Sequence, residues 1–258
     1  MGIITLTSDY GANTYYAAGL KAKLYALLPE IVLVDISHNL PCYDLVQAAF
    51  LVKSCMDDFE HETVHLIAVD TSLILYNEIL IAKSGNNWVI CADNGFLSMM
   101  DETWDEVYVV KKELYDVADL SPEKNIFTKL AARIFNKSPI SDFAQKGTPR
   151  VVVDSLRPVV ESLQIRASIV HVDGYDNAVS NLNKKQFEQW LGESQYRIYY
   201  KRKEFLEQVE TNYAKVSAGM GVAVFNDKGW LEIAINRGKG KSLLGLKLGD
   251  QVIIEKQI

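Results

Sequence analysis

Carboxylates recur just after successive apolar runs of this 258-residue chain. The first run leads into Thr7-Ser8-Asp9-Tyr10-Gly11, the second into Ser37-His38-Asn39-Leu40-Pro41-Cys42-Tyr43-Asp44. Asp70-Thr71-Ser72 follows the third, and Asp93-Asn94-Gly95 a later one. No Lys or Arg stands directly beside these acids. Such segments suit a neutral, hydroxyl-rich or cationic ligand better than a polyphosphate. The usual phosphate cradles, GxGxxG and the P-loop, are missing. Each segment also has a purely structural alternative. Asp9 could cap a helix, Asp70 could cap whatever follows it, and Asp93-Asn94-Gly95 could be a tight turn.

The apolar runs are the elements that must carry these residues. Ile3 to Leu6, Ile31 to Ile36, Val64 to Val69, Ile79 to Lys83, Trp88 to Cys91 and Glu106 to Val110 read as strands. Helical spacing covers Tyr15 to Leu28, with Tyr16, Leu20, Leu24 and Leu27 on one face, then Asp44 to Cys55 and Ile126 to Phe135. Strands alternating with helices predict an α/β domain with a largely parallel sheet, whose ligands gather at the C-terminal strand ends. Residues 136–158, with four prolines or glycines and weak periodicity, read as a connection. Short β segments then dominate: Gln164 to Val172, Arg197 to Tyr200, Gly221 to Phe225, Leu231 to Ile235 and Gln251 to Glu255. They predict an all-β, barrel-like C-terminal domain with a helical insert at Lys184 to Leu191. Tyr200 to Lys215 is a charged helix or excursion. The expected organisation is residues 1–145, a linker at 146–160, and 161–258.

The chain is 48% hydrophobic and 23% charged, with a formal net charge of -6. That balance supplies a core and argues against nucleic acid as a partner. The three cysteines Cys42, Cys55 and Cys91 fit no zinc spacing, and no metal site is expected. No apolar run is long enough for a membrane span, and the N-terminus reads as a strand, not a signal peptide. A cytoplasmic protein is expected.

The same segments, in the same order, resemble the S-adenosyl-L-methionine (SAM) hydroxide adenosyltransferase family, relatives of fluorinase and chlorinase. Thr7 to Gly11 with Lys21 is similar to its opening Thr-Asp-Phe-Gly segment. Val34-Asp35-Ile36-Ser37-His38, Thr63 to Asp70 and Ala92 to Leu97 resemble further blocks. So do Asp173 to Asn181 and Asn226 to Asn236 in the second half. The resemblance implies a homotrimer, with ligand sites between the N-terminal domain of one subunit and the C-terminal domain of the next. The ligand would be a small adenosyl compound, with no cofactor beyond SAM as substrate. Asp9 would accept from the ribose hydroxyls and Tyr43 would stack on the adenosyl face. Asp93 and Asn94 belong to a matching block. Asn177 would meet the adenine edge, Asp173 the methionine ammonium, and Asp227 and Lys228 the amino-acid end.

The chemistry implied is displacement at ribose C5′ with methionine leaving. For a water nucleophile the family is thought to use an Asp, an Arg and a His. Asp70 matches the first; Asn77 and Pro122 stand at the other two positions, and Thr14 replaces an Asp near the ammonium of fluorinase-like relatives. Asn77 carries no charge and Pro122 no side-chain donor or base. His38 is the best substitute histidine; His65 should point away from Asp70, and His61 and His171 should do surface or structural work. Three readings follow: a hydrolase using Asp70 and Asn77 to make adenosine and L-methionine, a binding protein with impaired chemistry, and, ranked last, a halide-dependent transferase.

Overall fold

A computed structural model describes residues 2–100, 102–151 and 157–257. The chain divides into two compact units, residues 1–154 and 155–258.

The first unit carries a seven-stranded sheet: β1 (Ile3–Ser8), β2 (Val32–Ser37), β3 (Thr63–Ala68), β4 (Ile79–Ser84), β5 (Asn87–Ala92), β6 (Glu106–Val110) and β7 (Ala144–Lys146), in the order β2-β1-β3-β5-β4-β6-β7. The neighbours β2-β1, β1-β3 and β3-β5 pair in parallel. The remaining pairs are antiparallel, so the sheet is mixed rather than largely parallel. The cause is local. Only Gly85 and Asn86 separate β4 from β5, and a parallel crossover needs a dozen residues or more. Gly85 takes φ 54 to close that turn.

β1 and β3 are buried along almost their whole length, the pattern of strands covered on both faces. Helices α1 (Tyr16–Leu27) and α5 (Thr128–Phe135) supply Leu20, Leu24, Leu130 and Ile134 to the main core beside Ile4, Leu6 and Leu66. Fully burying each such side chain is worth about 1.5–3 kcal/mol. Helix α2 (Leu45–Cys55) packs on α4 (Phe96–Met99) and on β1. It starts at Asp44, whose carboxylate accepts from Gln47 N at 2.9 Å. One short helix, α3 (Leu73–Tyr76), interrupts the path from β3 to β4. The parallel strands therefore deliver Asp9, His38, Asp70 and Asp93 to one sheet edge.

The second unit is a nine-stranded, barrel-like sheet built from β8 (Val159–Val160), β9 (Gln164–Val172), β10 (Ala178–Asn183), β11 (Tyr196–Tyr199), β12 (Phe205–Leu206), β13 (Val209–Glu210), β14 (Gly221–Phe225), β15 (Trp230–Ile235) and β16 (Gln251–Lys256). Strands β12 and β14, far apart in the pairing order, meet as the sheet curls toward closure. Helix α6 (Lys184–Leu191) begins with a capping box formed by Asn183 and Gln186, and α7 (Gly240–Leu244) packs on β15.

Strand β10 and the linker differ from the sequence reading. Strand β10 is absent from that reading, because Ala-Val-Ser-Asn-Leu-Asn mixes apolar and turn-forming residues. It is nonetheless central and buried, with Asn181 Oδ1 accepting from Ser168 N at 2.8 Å. Of the two alternatives for the charged stretch from Tyr200 to Lys215, helix or excursion, the chain takes the excursion, with two short strands and one helical turn. Both ends of the segment read as linker pair with a sheet, Ala144–Lys146 with β6 and Val159–Val160 with β9; residues 152–156 between them lie outside the described residues.

Candidate active site

At the C-terminal edge of the first sheet lies a cavity of about 390 Å³. Among the described residues that line it are four carboxylates, Asp9, Asp70, Asp119 and Glu123, and no Lys, Arg or His. A cluster of one sign in a partly desolvated recess attracts the opposite charge.

Asp9 follows β1 and does not cap α1, which has no side-chain cap. Its Oδ2 accepts from the backbone N of Tyr43 at 2.8 Å. That bond draws the loop after β2 over the end of β1. Tyr43 sits in the left-handed region at φ 64 and is 72% exposed at the cavity rim. A backbone bond from Gly11 N to His38 O at 2.6 Å ties the same two loops, with Gly11 at φ 81.

Asp70 follows β3 at φ 48, a conformation that costs a non-glycine residue free energy unless its surroundings hold it. Asn94 holds it. The Asn94 carboxamide donates to Val69 O at 3.1 Å and to Asp70 O at 3.0 Å, and its own oxygen accepts from Phe96 N at 3.1 Å. The Asp70 carboxylate accepts from the Tyr76 hydroxyl. Burial, and the carboxylate it bonds, push the Tyr76 phenol up to about 12, so it remains a donor at neutral pH. The Arg150 guanidinium stands 5.8 Å from the Tyr76 ring centroid.

Next to Asp70, the Thr71 hydroxyl donates to Glu123 Oε2 at 3.0 Å. Glu123 is only 6% exposed. The Tyr10 side chain lines the same recess; burial first, then the nearby Glu123 charge, hold that phenol far above its ordinary range. Asp119 is committed to its own loop, with Oδ1 accepting from Ser121 N and Asn125 Nδ2, both at 2.9 Å.

Other candidates lie elsewhere. Asn77 is exposed, ends α3 in the left-handed region at φ 62, and is not among the cavity residues. Asp93 is buried, and its Oδ1 accepts from Arg150 N at 2.8 Å. His38 is occupied at both ring nitrogens: Nε2 donates to Asp35 Oδ1 at 3.0 Å, which leaves Nδ1 to accept from the Ser8 hydroxyl at 2.7 Å. Lys21 pairs with the other Asp35 oxygen. That chain braces the base of the Asp9 loop, and Ser8 is fully buried, beyond reach of a substrate. His65 points into the sheet between Thr5 and Asn87.

The second unit places the remaining candidates at two turns, one at each end of the β10–β15 strand pair. Asp173 ends β9; its Oδ1 accepts from Tyr175 N and Asn177 N, both at 2.9 Å, and Oδ2 accepts from Asn177 Nδ2 at 3.0 Å. Asp227 and Lys228 occupy the β14–β15 turn, where Asn226 Oδ1 accepts from Lys228 N at 3.1 Å. Between them lies Glu232, buried in β15 and bonded by the Tyr213 hydroxyl at 2.7 Å. Burial raises the Glu232 carboxyl, and the charges of Asp173 and Asp227 add to that.

Sequence reasoning missed Glu123, Tyr10, Tyr76 and Thr71. The available signal was Glu123 itself, one residue beyond Pro122. Residues Glu123–Phe127 form a π-turn, whose extra residue rotates the following side chains by one position and recurs at functional sites.

A mixed α/β unit with an acidic strand-end cavity is followed by a barrel-like β unit. Residues 4–144 match the SAM hydroxide adenosyltransferase N-terminal domain and residues 167–253 the corresponding C-terminal domain. The chain belongs to the SAM hydroxide adenosyltransferase family. It is 20% identical to an (R)-S-adenosyl-L-methionine hydrolase of Methanocaldococcus jannaschii, covering 98% of this chain and 96% of that one. The protein of that name from Salinispora tropica is 23% identical over 96% of each chain. Its counterpart in Thermus thermophilus is 24% identical over 94% of this chain and 95% of that one. An uncharacterized conserved protein from Thermotoga maritima shares the fold with a TM-score of 0.85 at 22% identity, over 98% of this chain and 99% of that one. A conserved hypothetical protein from Thermus thermophilus has a TM-score of 0.71 at 20% identity, over 100% of both chains.

Proposed function

We propose that this chain binds SAM and cleaves it with water at ribose C5′, giving adenosine and L-methionine. The observation that carries this reading is the charge of the cavity: four carboxylates and no basic side chain among its lining residues. A sulfonium cation with a hydroxyl-bearing sugar meets both demands of such a site. Asp9 would accept from the ribose hydroxyls, since a carboxylate offers about four lone-pair sites and Tyr43 N uses one. Asp70, oriented by Tyr76 and Asn94, would hold the water. The sulfonium leaves as a neutral thioether, so the protein's task is placement of water in line, roughly 3 Å from carbon. We further propose a cytoplasmic homotrimer, checked by light scattering on the purified protein.

Incubation with SAM and chromatography of the products tests the activity, with Asp70→Ala as control. The expected result is adenosine from the wild type and a large loss in the variant. Calorimetric binding without turnover selects a second reading, an adenosyl-binding protein with impaired chemistry. The position of Asn77 outside the cavity favours that alternative. Absence of both binding and turnover overturns the assignment.

A further inference from the structure

Attack of water on C5′ leaves a proton to be placed. As the O–C5′ bond forms, the C5′–S bond breaks with its electron pair going to sulfur, and one water proton passes to a base. The sum is SAM cation and water to adenosine, methionine and a proton.

The four cavity carboxylates differ in what already bonds them. Asp9 accepts from a backbone N–H of Tyr43 and Asp119 from a backbone N–H of Ser121. A backbone N–H cannot reverse, so protonating the acceptor risks setting two donors against each other. Glu123 differs. Its hydrogen-bond partner is the hydroxyl of Thr71, and the Tyr10 phenol stands near enough to feel its charge. A hydroxyl rotates and accepts, so a proton arriving on Glu123 can be handed back into the same bond. Thr71 is also the neighbour of Asp70, and Tyr10 the neighbour of Asp9. Glu123 is thus bonded to the residue beside Asp70, and the residue beside Asp9 lines the same cavity. It is the one buried carboxylate of the four, and it opens the π-turn.

We propose that Glu123 is the proton acceptor for the attacking water, with Asp70 orienting that water. This rests on the hydrolase reading and assigns a role within it. Asp9, Asp70, Asp119, Tyr10, Tyr16 and Tyr43 are the other titratable groups that line the cavity, so the test must separate Glu123 from them.

Full-length wild type, Glu123→Gln, Glu123→Asp, Glu123→Ala and Asp70→Asn are compared for kcat and KM from roughly pH 4 to 9, with calorimetric SAM binding and thermal melting. In Glu123→Gln, kcat should fall on the order of 100-fold, the scale of general acid–base catalysis. KM should move far less, and the acid limb of the kcat profile should disappear. Glu123→Asp should restore part of the rate, and formate should raise the rate of folded Glu123→Ala at least roughly tenfold, a small carboxylate replacing the missing base. A Glu123→Gln enzyme with kcat near wild type overturns the role. So does an acid limb that survives in Glu123→Gln and vanishes in Asp70→Asn, or Glu123→Ala that stays folded and ignores formate. Wild type that binds SAM without cleaving it overturns both the hydrolase reading and this role. Wild type that cleaves SAM with Glu123→Gln unaffected overturns this role alone.

Discussion

Asn94 holds the backbone of Asp70 in place: one carboxamide donates to Asp70 O at 3.0 Å and to the preceding Val69 O at 3.1 Å. The acid that faces the cavity therefore depends on a side chain from the end of a neighbouring strand. Asn94→Ala removes these donors and leaves buried carbonyls unmet, which costs about 1–3 kcal/mol. Urea denaturation should show that loss, and Asp70, no longer held at φ 48, should lose rate as well. A variant with unchanged stability would mean that the turn is held by other contacts.

Tyr76 gives Asp70 its side-chain hydrogen bond. Because the phenol is pushed up to about 12, the bond persists across the neutral range. A hydrogen bond to a charged group is worth about 1.5–3 kcal/mol. Tyr76→Phe should therefore lower kcat by about tenfold or more. KM for SAM should change less, because the hydroxyl orients Asp70 and does not line the cavity. Chromatographic assay of adenosine formation checks this; an unaltered kcat would remove Tyr76 from the machinery.

How much of the molecule is legible in its sequence follows from what each segment shows on its surface. Ile3 to Leu6 and Val64 to Val69 are continuous apolar runs, because both faces of β1 and β3 are covered. Strand β10 hides behind Ser180, Asn181 and Asn183, whose polar groups are satisfied inside the sheet and by the α6 cap. Antiparallel pairing of β4 and β5 is readable from the two-residue gap between them. At the site, Asp9, Tyr43 and Asp70 stand out because strand ends announce themselves by apolar runs. Glu123 does not, because no apolar run leads into it: it opens a helical segment directly after Ser121-Pro122. The part played by Asn94 is hidden for another reason: Asp-Asn-Gly reads equally as a tight turn, and only the fold shows which carbonyls its amide meets.

His65 supplies a pH dependence of stability. Burial holds its imidazole neutral, with a pKa of about 4 against the ordinary 6.5. The unfolded chain takes up a proton near 6.5 while the folded chain resists until about 4. Stability is thus fully present above the unfolded value and is lost as pH falls toward the folded one, by about 3 kcal/mol in all. Denaturation at about pH 7, 5.5 and 4 should show this loss over and above that from carboxylates. In His65→Gln the fall across that range should be smaller by about that amount. Equal slopes in the two proteins would show that His65 is not the group responsible.

Asp9 has two tasks that substitution can separate. It accepts from Tyr43 N, and in the proposed complex it accepts from the ribose diol. Asp9→Ala removes both; Asp9→Asn keeps an oxygen for Tyr43 N and discards the charge. Adenosine binding by calorimetry should weaken by about 1.5–3 kcal/mol in Asp9→Ala, the scale for hydrogen bonds to a charged group. A second ligand, 2′,3′-dideoxyadenosine, isolates the diol. Wild type should bind it more weakly than adenosine, and Asp9→Ala should bind both about equally. If Asp9→Ala weakens the two ligands to the same degree while wild type ignores the hydroxyls, Asp9 acts only through the Tyr43 loop. The ribose would then have to be held elsewhere.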